Sequence, residues 1–255
     1  NTERDPIKII INYNKANFDV SIENAMAAIK LFEKRNDAVG ILKARVLMSQ
    51  VYQLKDDLPR AEKILQENLQ LLPKIEDLKI KVNTLHTLAN VYGMEGKYAE
   101  ALKLDSIGLE LCEAENARFQ KSSFYDNMAN CYMFSGNFSK SIQYHLKAIS
   151  IDSTFKNNKQ IGDSYMNLAS VYEELNDFGK AIFYFEKSVE LCRKSGYKIG
   201  VKNALESLSK LYFKLGDTGK AYQYLKESAI VKDSIINNNS EQKIAELRNN
   251  LDTNF

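Results

Sequence analysis

A 40-residue internal period constrains this chain more than any other feature of its sequence. Five tyrosines recur at this spacing without a gap, at Tyr52, Tyr92, Tyr132, Tyr172 and Tyr212, and we expect all five to be buried at equivalent places between helices. The same 40-residue offset relates two further sets of positions. The first is Val51, Val91, Cys131, Val171 and Leu211, and the second is Ala61, Ala101, Ser141, Ala181 and Ala221. Agreement of three registers over five units predicts a repeat array, in which each unit buries its apolar face only against its neighbours. The period itself predicts no internal domain boundary.

Each unit shows the pattern of two helices joined by a turn. In one unit Leu85, Leu88 and Tyr92 follow helical spacing, the pattern breaks at Gly96, and it resumes at Tyr98. Glycine and asparagine accept the left-handed backbone that commonly ends a helix. The predicted turns are Asp56-Asp57, Glu95-Gly96, Ser135-Gly136-Asn137, Asn176-Asp177 and Gly216-Asp217.

Composition supports long helices and excludes partners held mainly by charge. The chain has 44% hydrophobic and 27% charged residues with only 11 Gly and 3 Pro, which leaves few residues for tight turns. A net charge of +2 gives no broad attraction for nucleic acid or anionic lipid. No apolar run reaches the roughly 18 residues that a membrane-spanning helix needs. The first residue is Asn1 and not Met, which favours a processed product or a segment of a longer protein.

Two segments resemble the tetratricopeptide repeat consensus: LANVYGMEGKYAEAL at 88–102 and MANCYMFSGNFSKSI at 128–142. The resemblance covers most of the chain. It implies an all-α fold, a right-handed α-solenoid (superhelix) of antiparallel tetratricopeptide helix pairs. The 40-residue period exceeds the family's usual 34 residues. The chain is therefore similar to the long-repeat type found in sensory regions of bacterial histidine kinases and related signalling regulators.

The period also sets the predicted boundaries. The repeat array spans residues 4–234, with a degenerate first repeat at 4–34 and five full repeats over 39–234. Residues 235–255 leave the repeat register and are predicted to form a C-terminal exit or coupling helix, with an interruption at Asn237–Ser240. Its apolar residues form a narrow stripe that suits one partner helix and permits a homodimer. The stripe consists of Ile244, Leu247, Leu251 and Phe255.

No residue set predicts catalysis, a metal site or a bound cofactor. His86 and His145 are the only histidines, and neither has a second ligand at metal-binding spacing on its helix face. Cys131 occupies a register otherwise filled by Val or Leu, which indicates a small core residue. Three cysteines cannot all pair within one chain, so disulfides are not expected. We expect no enzyme activity from this segment, whereas a histidine kinase output module elsewhere in a longer protein stays compatible with it.

The resemblance implies a ligand groove along the opening helix of each repeat. In tetratricopeptide proteins, residues nine, six, five and two positions before the repeat Tyr face the ligand. The candidate ligand-binding residues carried over to this sequence are Asn83, His86, Asn90, Asp126, Asn127, Asn130, Asp163, Asn167, Ser170, Glu206 and Lys210.

Four of these asparagines are predicted to form a ladder of carboxamides. Asn90 and Asn130 lie one period apart, as do Asn127 and Asn167. An amide supplies both a donor and an acceptor, which matches the backbone of an extended peptide. The alternative is an ordinary solvated helix surface. A clamp for a C-terminal carboxylate is disfavoured because Lys210 alone is basic among these positions.

Two functions of different classes remain open. The first is the extracytoplasmic sensory region of a bacterial two-component or related membrane signalling protein, which binds a peptide or protein segment. The second is a free-standing adaptor that assembles other proteins. The first places the chain in the periplasm or outside the cell as part of a membrane protein, and the second is compatible with the cytoplasm. Neither involves nucleic acid, and this segment itself is not expected to insert into a membrane.

Overall fold

The computed structural model describes the backbone of residues 18–252 and the side chains of residues 18–118 and 120–237. Within this part of the chain there are eleven α-helices and no strands, so the predicted all-α fold is confirmed. None of the described helices is both long and apolar enough to cross a membrane. The described residues divide into two compact units, with the division between Asn137 and Phe138.

The first unit contains six helices. They are α1 (Phe18–Lys34), α2 (Ala38–Leu54), α3 (Leu58–Leu71), α4 (Leu78–Met94), α5 (Tyr98–Ala114) and α6 (Lys121–Phe134), with 3₁₀ turns at Leu72–Lys74 and Arg118–Gln120. Consecutive helices pack against each other. Helix α1 is the second helix of the degenerate first repeat, whose opening helix lies outside the described residues.

The second unit contains five helices that continue the same pairing. They are α7 (Phe138–Thr154), α8 (Asn158–Glu174), α9 (Phe178–Lys194), α10 (Lys198–Lys214) and α11 (Thr218–Asp252). The opening helices α2, α4, α6, α8 and α10 start close to the predicted positions at 39, 79, 119, 159 and 199.

Left-handed residues end the helices, as the turn composition predicts. Within the full repeats these residues are Asp56, Gly96, Gly136, Asn176 and Gly216. A second set, which the sequence analysis did not single out, closes the connections between repeats at Asn36, Asn116, Lys156 and Gly196. The connection after α3 differs because Pro73 lies in a 3₁₀ turn there. Most helices then begin with an aspartate or asparagine whose side chain accepts a hydrogen bond from the backbone N–H three residues on, as Asp77 does from Ile80.

Small side chains occupy the tightest contacts of the core. Six alanines that recur in two registers of the repeat are fully buried: Ala61, Ala101 and Ala181 in one, and Ala89, Ala129 and Ala169 in the other. Gly108 of α5 lies so close to α6 that a Cβ atom there would be 2.2 Å from Cζ of Phe124. The packing is therefore specific in shape as well as apolar.

The repeat tyrosines are less buried than the sequence predicts. Tyr212 is 9% exposed, but the other four are half-buried, so the prediction that all five are buried is wrong. A tyrosine combines an apolar ring with a polar hydroxyl, so the ring can pack while its tip stays in contact with water. A cation also lies over four of the rings. The pairs are Arg60 over Tyr52, Lys97 over Tyr92, Lys180 over Tyr172 and Lys220 over Tyr212.

The last helix is longer than predicted. Helix α11 continues without a break from Thr218 to Asp252, so the predicted interruption at Asn237–Ser240 is wrong. No Gly or Pro occurs between residues 220 and 252, and each asparagine costs only about 0.7 kcal/mol of helix propensity. The predicted exit helix is therefore a continuation of the last repeat helix. The predicted stripe of Ile244, Leu247, Leu251 and Phe255 lies outside the described side chains.

Candidate functional site

A surface pocket of about 300 Å³ lies between α4 and α6 in the first unit. Three of the predicted groove residues, Asn90, Asn127 and Asn130, line it together. The remaining lining residues are Gly93, Met94, Tyr98, Cys131 and Phe134. We call this site the asparagine pocket.

An aromatic wall and exposed apolar side chains border the asparagine pocket. The rings of Tyr98 and Phe134 are nearly parallel, with an angle of 12° and 6.4 Å between their centroids. Phe134 is 64% exposed and Met94 is 50% exposed, although both are large apolar residues. Such side chains contribute little to the core and instead leave an apolar surface available to a ligand.

Glycine at position 93 provides the space in this pocket. A Cβ atom there would lie 3.6 Å from Sγ of Cys131 and 3.9 Å from Oδ1 of Asn127, which are ordinary contact distances. A larger side chain at Gly93 would therefore extend into the pocket without displacing the backbone.

Asn127 differs from the solvent-facing amide that the sequence predicts. It is only 6% exposed, and its Nδ2 donates to both carboxylate oxygens of Asp105 at 3.0 and 2.9 Å. The amide nitrogen of Asn127 is thus directed at Asp105 inside the protein. Oδ1 of Asn127 is left on the pocket side, close to Gly93. The prediction that this amide offers both a donor and an acceptor to a ligand is therefore corrected: it offers an acceptor.

Asn90 is oriented in a similar way by a neighbouring repeat. Its Nδ2 donates to Oε1 of Gln53 at 3.1 Å, and no residue in the described part of the chain donates to its Oδ1. Asn130 is half-buried, and its side chain makes no hydrogen bond within the described residues. The pocket therefore presents amide oxygens from at least Asn90 and Asn127.

The carboxyl of Asp105 lies beneath Asn127 in the protein core. It is fully buried, and burial raises its pKa to about 8, although the hydrogen bonds from Asn127 oppose that rise. Cys131 is also buried, and desolvation together with the charge of Asp105 raises the pKa of its thiol to about 12. The thiol is therefore neutral at physiological pH, and Asp105 is the group near the pocket that changes charge near neutrality.

The other predicted residues of the first unit lie outside the pocket lining. Asn83 is exposed, whereas His86 is half-buried with its ring 5.7 Å from that of Phe124 in an edge contact. Burial lowers the pKa of His86, and the nearby charge of Asp126 opposes this. His86 is thus a packing residue. No group of three or more potential metal ligands occurs among the described side chains.

In the second unit the predicted residues lie on α8 and α10. Ser170 donates to the backbone oxygen of Met166 at 3.2 Å, and Glu206 accepts from Lys202 at 3.4 Å, so neither is positioned primarily for a ligand. Asn167 is half-buried.

Asp163 and Lys210 have different surroundings. The charge of Asp163 contributes to a raised pKa of both Cys192 and Tyr197, for which burial is the main cause. Lys210 is exposed and lines a second pocket of about 460 Å³. The other residues of that pocket are Ser209, Phe213, Thr218, Ala221, Tyr222 and Leu225.

Sequence reasoning missed Asp105 and the aromatic wall of the asparagine pocket. The period contained the information for Asp105, because its register is filled by Leu65, His145, Phe185 and Leu225 in the other repeats, three of which are apolar. A carboxylate in a core register indicates a polar site. Phe134 gave a weaker indication of a binding surface, because it is a large apolar residue just beyond the repeat Tyr and before a turn.

Comparison with known proteins identifies the repeat and the fold. A family model described as tetratricopeptide repeat matches residues 120–194 and 160–229. A comparison with curated protein sequences found no significant match.

Solved structures resemble this chain in fold. BtubC (BKLC) from P. vanneervenii is 15% identical with a TM-score of 0.68, covering 87% of this chain and 93% of its own. A STAND protein with a tetratricopeptide repeat sensor from Pyrococcus horikoshii is 21% identical with a TM-score of 0.68 over 90% of this chain. This chain covers only 35% of that protein. A Rap protein solved in complex with Competence and Sporulation Factor is 15% identical with a TM-score of 0.66, covering 86% of this chain and 67% of its own.

Proposed function

Because this chain belongs to the tetratricopeptide repeat family, we propose that it is a non-catalytic binding module that holds an extended peptide segment at the asparagine pocket. The observation that carries the proposal is the set of amide oxygens beside the exposed Tyr98–Phe134 wall. Backbone N–H groups of an extended peptide would donate to these oxygens, and one of its side chains would enter the pocket.

The dimensions of the pocket favour a side chain and not a whole small molecule. A volume of about 300 Å³ is at the lower end of the range for small-molecule sites. The apolar residues at its rim, Met94 and Phe134, extend the contact area beyond the pocket itself. A segment of several residues, anchored by one side chain, suits this combination of a small pocket and an apolar rim.

We propose a sensory role for this binding module. The Pyrococcus horikoshii protein has a tetratricopeptide repeat sensor, and the Rap protein was solved with Competence and Sporulation Factor; both share the fold of this chain. Helix α11 continues from the last repeat to Asp252, and a continuous helix is a suitable element for passing a change of the array to a following segment. In this proposal the chain is the extracytoplasmic region of a bacterial two-component or related membrane signalling protein.

A free-standing adaptor is the second candidate, and one feature of the last helix pair favours it. Phe213, Tyr222 and Leu225 are 70%, 68% and 53% exposed. An apolar surface of this kind suits a protein partner or a homodimer through α11. The sequence that flanks this chain in its gene distinguishes the candidates: a secretion signal and a membrane helix support the sensor, and native termini at both ends support the adaptor.

A peptide-display selection tests the binding function. A random 12-residue library is selected against the wild-type protein, against Gly93→Leu, which fills the pocket, and against Gly179→Leu, a matched change at an exposed helical glycine. We expect peptides that bind wild type and Gly179→Leu but not Gly93→Leu. Selected peptides that bind all three proteins equally would refute the asparagine pocket as the site.

A further inference from the structure

We propose that the asparagine pocket selects a cationic side chain of its ligand, an ammonium or guanidinium group. This inference rests on the proposed peptide-binding function and specifies the chemistry of the anchoring residue. It follows from three features of the pocket: the orientation of its amides, the buried carboxylate beneath it and the aromatic wall beside it.

The amide oxygens of Asn90 and Asn127 favour a ligand group that donates hydrogen bonds. Nδ2 of Asn127 donates to the carboxyl of Asp105, and Nδ2 of Asn90 donates to Oε1 of Gln53. The oxygens that remain accept hydrogen bonds but cannot donate them. Lysine supplies three N–H donors and arginine five, and neither side chain has an acceptor. A carboxylate in the same place would meet amide oxygens and another carboxyl, which repel it.

The carboxyl of Asp105 has no cationic partner among the described residues. The effects on its pKa are burial, which raises it, and the hydrogen bonds of Asn127, which lower it. The thiol of Cys131 on α6, which is neutral, lies near this carboxyl. Helix α4 contributes the uncharged residues Asn90, Gly93 and Met94 to the pocket. A ligand cation that approaches Oδ1 of Asn127 would therefore stabilise the ionised form of Asp105.

Lys97, the residue before α5, is already engaged elsewhere. Nζ of Lys97 lies 3.0 Å from Glu62 and 2.9 Å from Glu95, and these bonds raise its pKa. It also lies over the ring of Tyr92, 5.3 Å from the centroid. Lys97 is thus neutralised by two carboxylates and does not serve Asp105.

The aromatic wall provides a surface for the stem and charge of such a side chain. Cations bind over the faces of aromatic rings within about 6 Å of the centroid. This chain already shows the arrangement at Tyr172 and Tyr212, where Lys180 and Lys220 lie 4.9 and 4.8 Å from the ring centroids. Phe134 of this wall is 64% exposed at the pocket, so a ligand cation can reach its ring.

The binding of N-acetylated, C-amidated hexapeptide pools tests this inference. The pools share random outer positions and carry a fixed third residue: arginine, citrulline, leucine or glutamate. Citrulline is a matched control because it keeps the size of arginine and lacks the charge. Affinities are measured for wild type, Gly93→Leu and Asp105→Asn at pH 6 and pH 9.

We expect the arginine pool to bind wild type at least about tenfold more tightly than the citrulline pool at pH 9. Arginine stays charged throughout this range. Because Asp105 has a pKa of about 8, its ionised fraction rises over the interval, and the affinity for arginine should rise by up to about a hundredfold from pH 6 to pH 9. Asp105→Asn should abolish this rise.

The outcomes separate this inference from the proposed function. Tighter binding of the leucine or glutamate pool, blocked by Gly93→Leu, overturns the cationic anchor and leaves peptide binding in place. Equal binding of the arginine and citrulline pools to the wild-type protein at both pH values would also overturn the cationic anchor and leave peptide binding in place. This outcome does not depend on any variant. If no pool binds, or if Gly93→Leu binds every pool as wild type does, both proposals fail.

Discussion

The side-chain nitrogen of Asn127 lies 3.0 and 2.9 Å from the two carboxylate oxygens of Asp105, deep in the contact between α5 and α6. In two other repeats the equivalent residue is Leu65 or Phe185, both of them buried apolar side chains, and in the repeat that follows it is the buried His145. The pair thus replaces an apolar contact with a polar one directly beneath a surface pocket. Its cost to stability and its use in binding can be measured separately.

The first prediction concerns the pH dependence of stability. Asp105 has a pKa of about 8 in the folded protein against an ordinary value of 3.8, so the folded state holds a proton that the unfolded state has released. The free energy of unfolding therefore includes a favourable contribution from this bound proton, which is complete below pH 4 and is lost as pH rises to 8. Between those values the Asp105 contribution should fall by about 1.4 kcal/mol for each pH unit.

Urea unfolding of wild type and Asp105→Asn at several pH values measures this contribution. The asparagine is neutral throughout, so the difference between the two proteins isolates the carboxyl. Relative to wild type, Asp105→Asn should become steadily more stable from pH 4 to pH 8. A constant difference over that range would show that Asp105 has an ordinary pKa.

The second prediction concerns the contact between α5 and α6. Gly108→Ala would place a Cβ atom 2.2 Å from the buried ring of Phe124, which cannot rotate away. We expect a loss of about 1–3 kcal/mol in the free energy of unfolding. The control is Gly179→Ala, an exposed helical position with room for a methyl group, which should be neutral or stabilising by up to about 1 kcal/mol. Equal effects would contradict the packing described for α5 and α6.

The third prediction concerns thiol reactivity. Cys112, Cys131 and Cys192 are free and buried, and burial raises the pKa of all three thiols. The thiolate is the reactive form, so native protein at pH 8 should resist iodoacetamide while urea-unfolded protein is alkylated at all three positions. Mass spectrometry counts the labels. Rapid labelling of native Cys131 would show that the floor of the asparagine pocket is open to solvent.

The fourth prediction compares equivalent positions in two repeats. Phe185 is 1% exposed, whereas Leu225, one period later, is 53% exposed. Phe185→Asp should cost more than about 3 kcal/mol, because it removes buried apolar area and buries a charge. Leu225→Asp should cost less than about 1 kcal/mol. A large loss at Leu225 that depends on protein concentration would reveal that another copy covers this surface.

The sequence predicts the fold well because the repeat carries the same physical requirement several times. Small residues recur where helices approach, and the residues at Gly96 and Asn176 accept the left-handed backbone that the turns need. An atypical residue in one repeat does not change the predicted fold, because the equivalent residues of the other four repeats still follow the pattern. The continuous helix α11 was missed because no later repeat exists in the chain to correct the interpretation of its asparagines.

The site was predicted only in part, since register places a residue on a helix face but does not orient its side chain. The register correctly brings Asn90, Asn127 and Asn130 to one pocket. It does not show that Asn127 is buried, because that depends on the carboxylate of Asp105 from another helix. The direction of an amide is thus determined by partners that sequence spacing alone does not identify.

The central claim is that a peptide occupies the asparagine pocket, and photo-crosslinking tests it most directly. Benzoylphenylalanine is placed at Phe134, on the pocket wall, or at Phe183, a comparably exposed phenylalanine on α9. The probe is a peptide selected by display against wild-type protein. We predict that it crosslinks from position 134 but not from position 183, and that adding Gly93→Leu removes the crosslink. Crosslinking of equal yield from both positions, or a crosslink at 134 that persists with Gly93→Leu, would contradict the account.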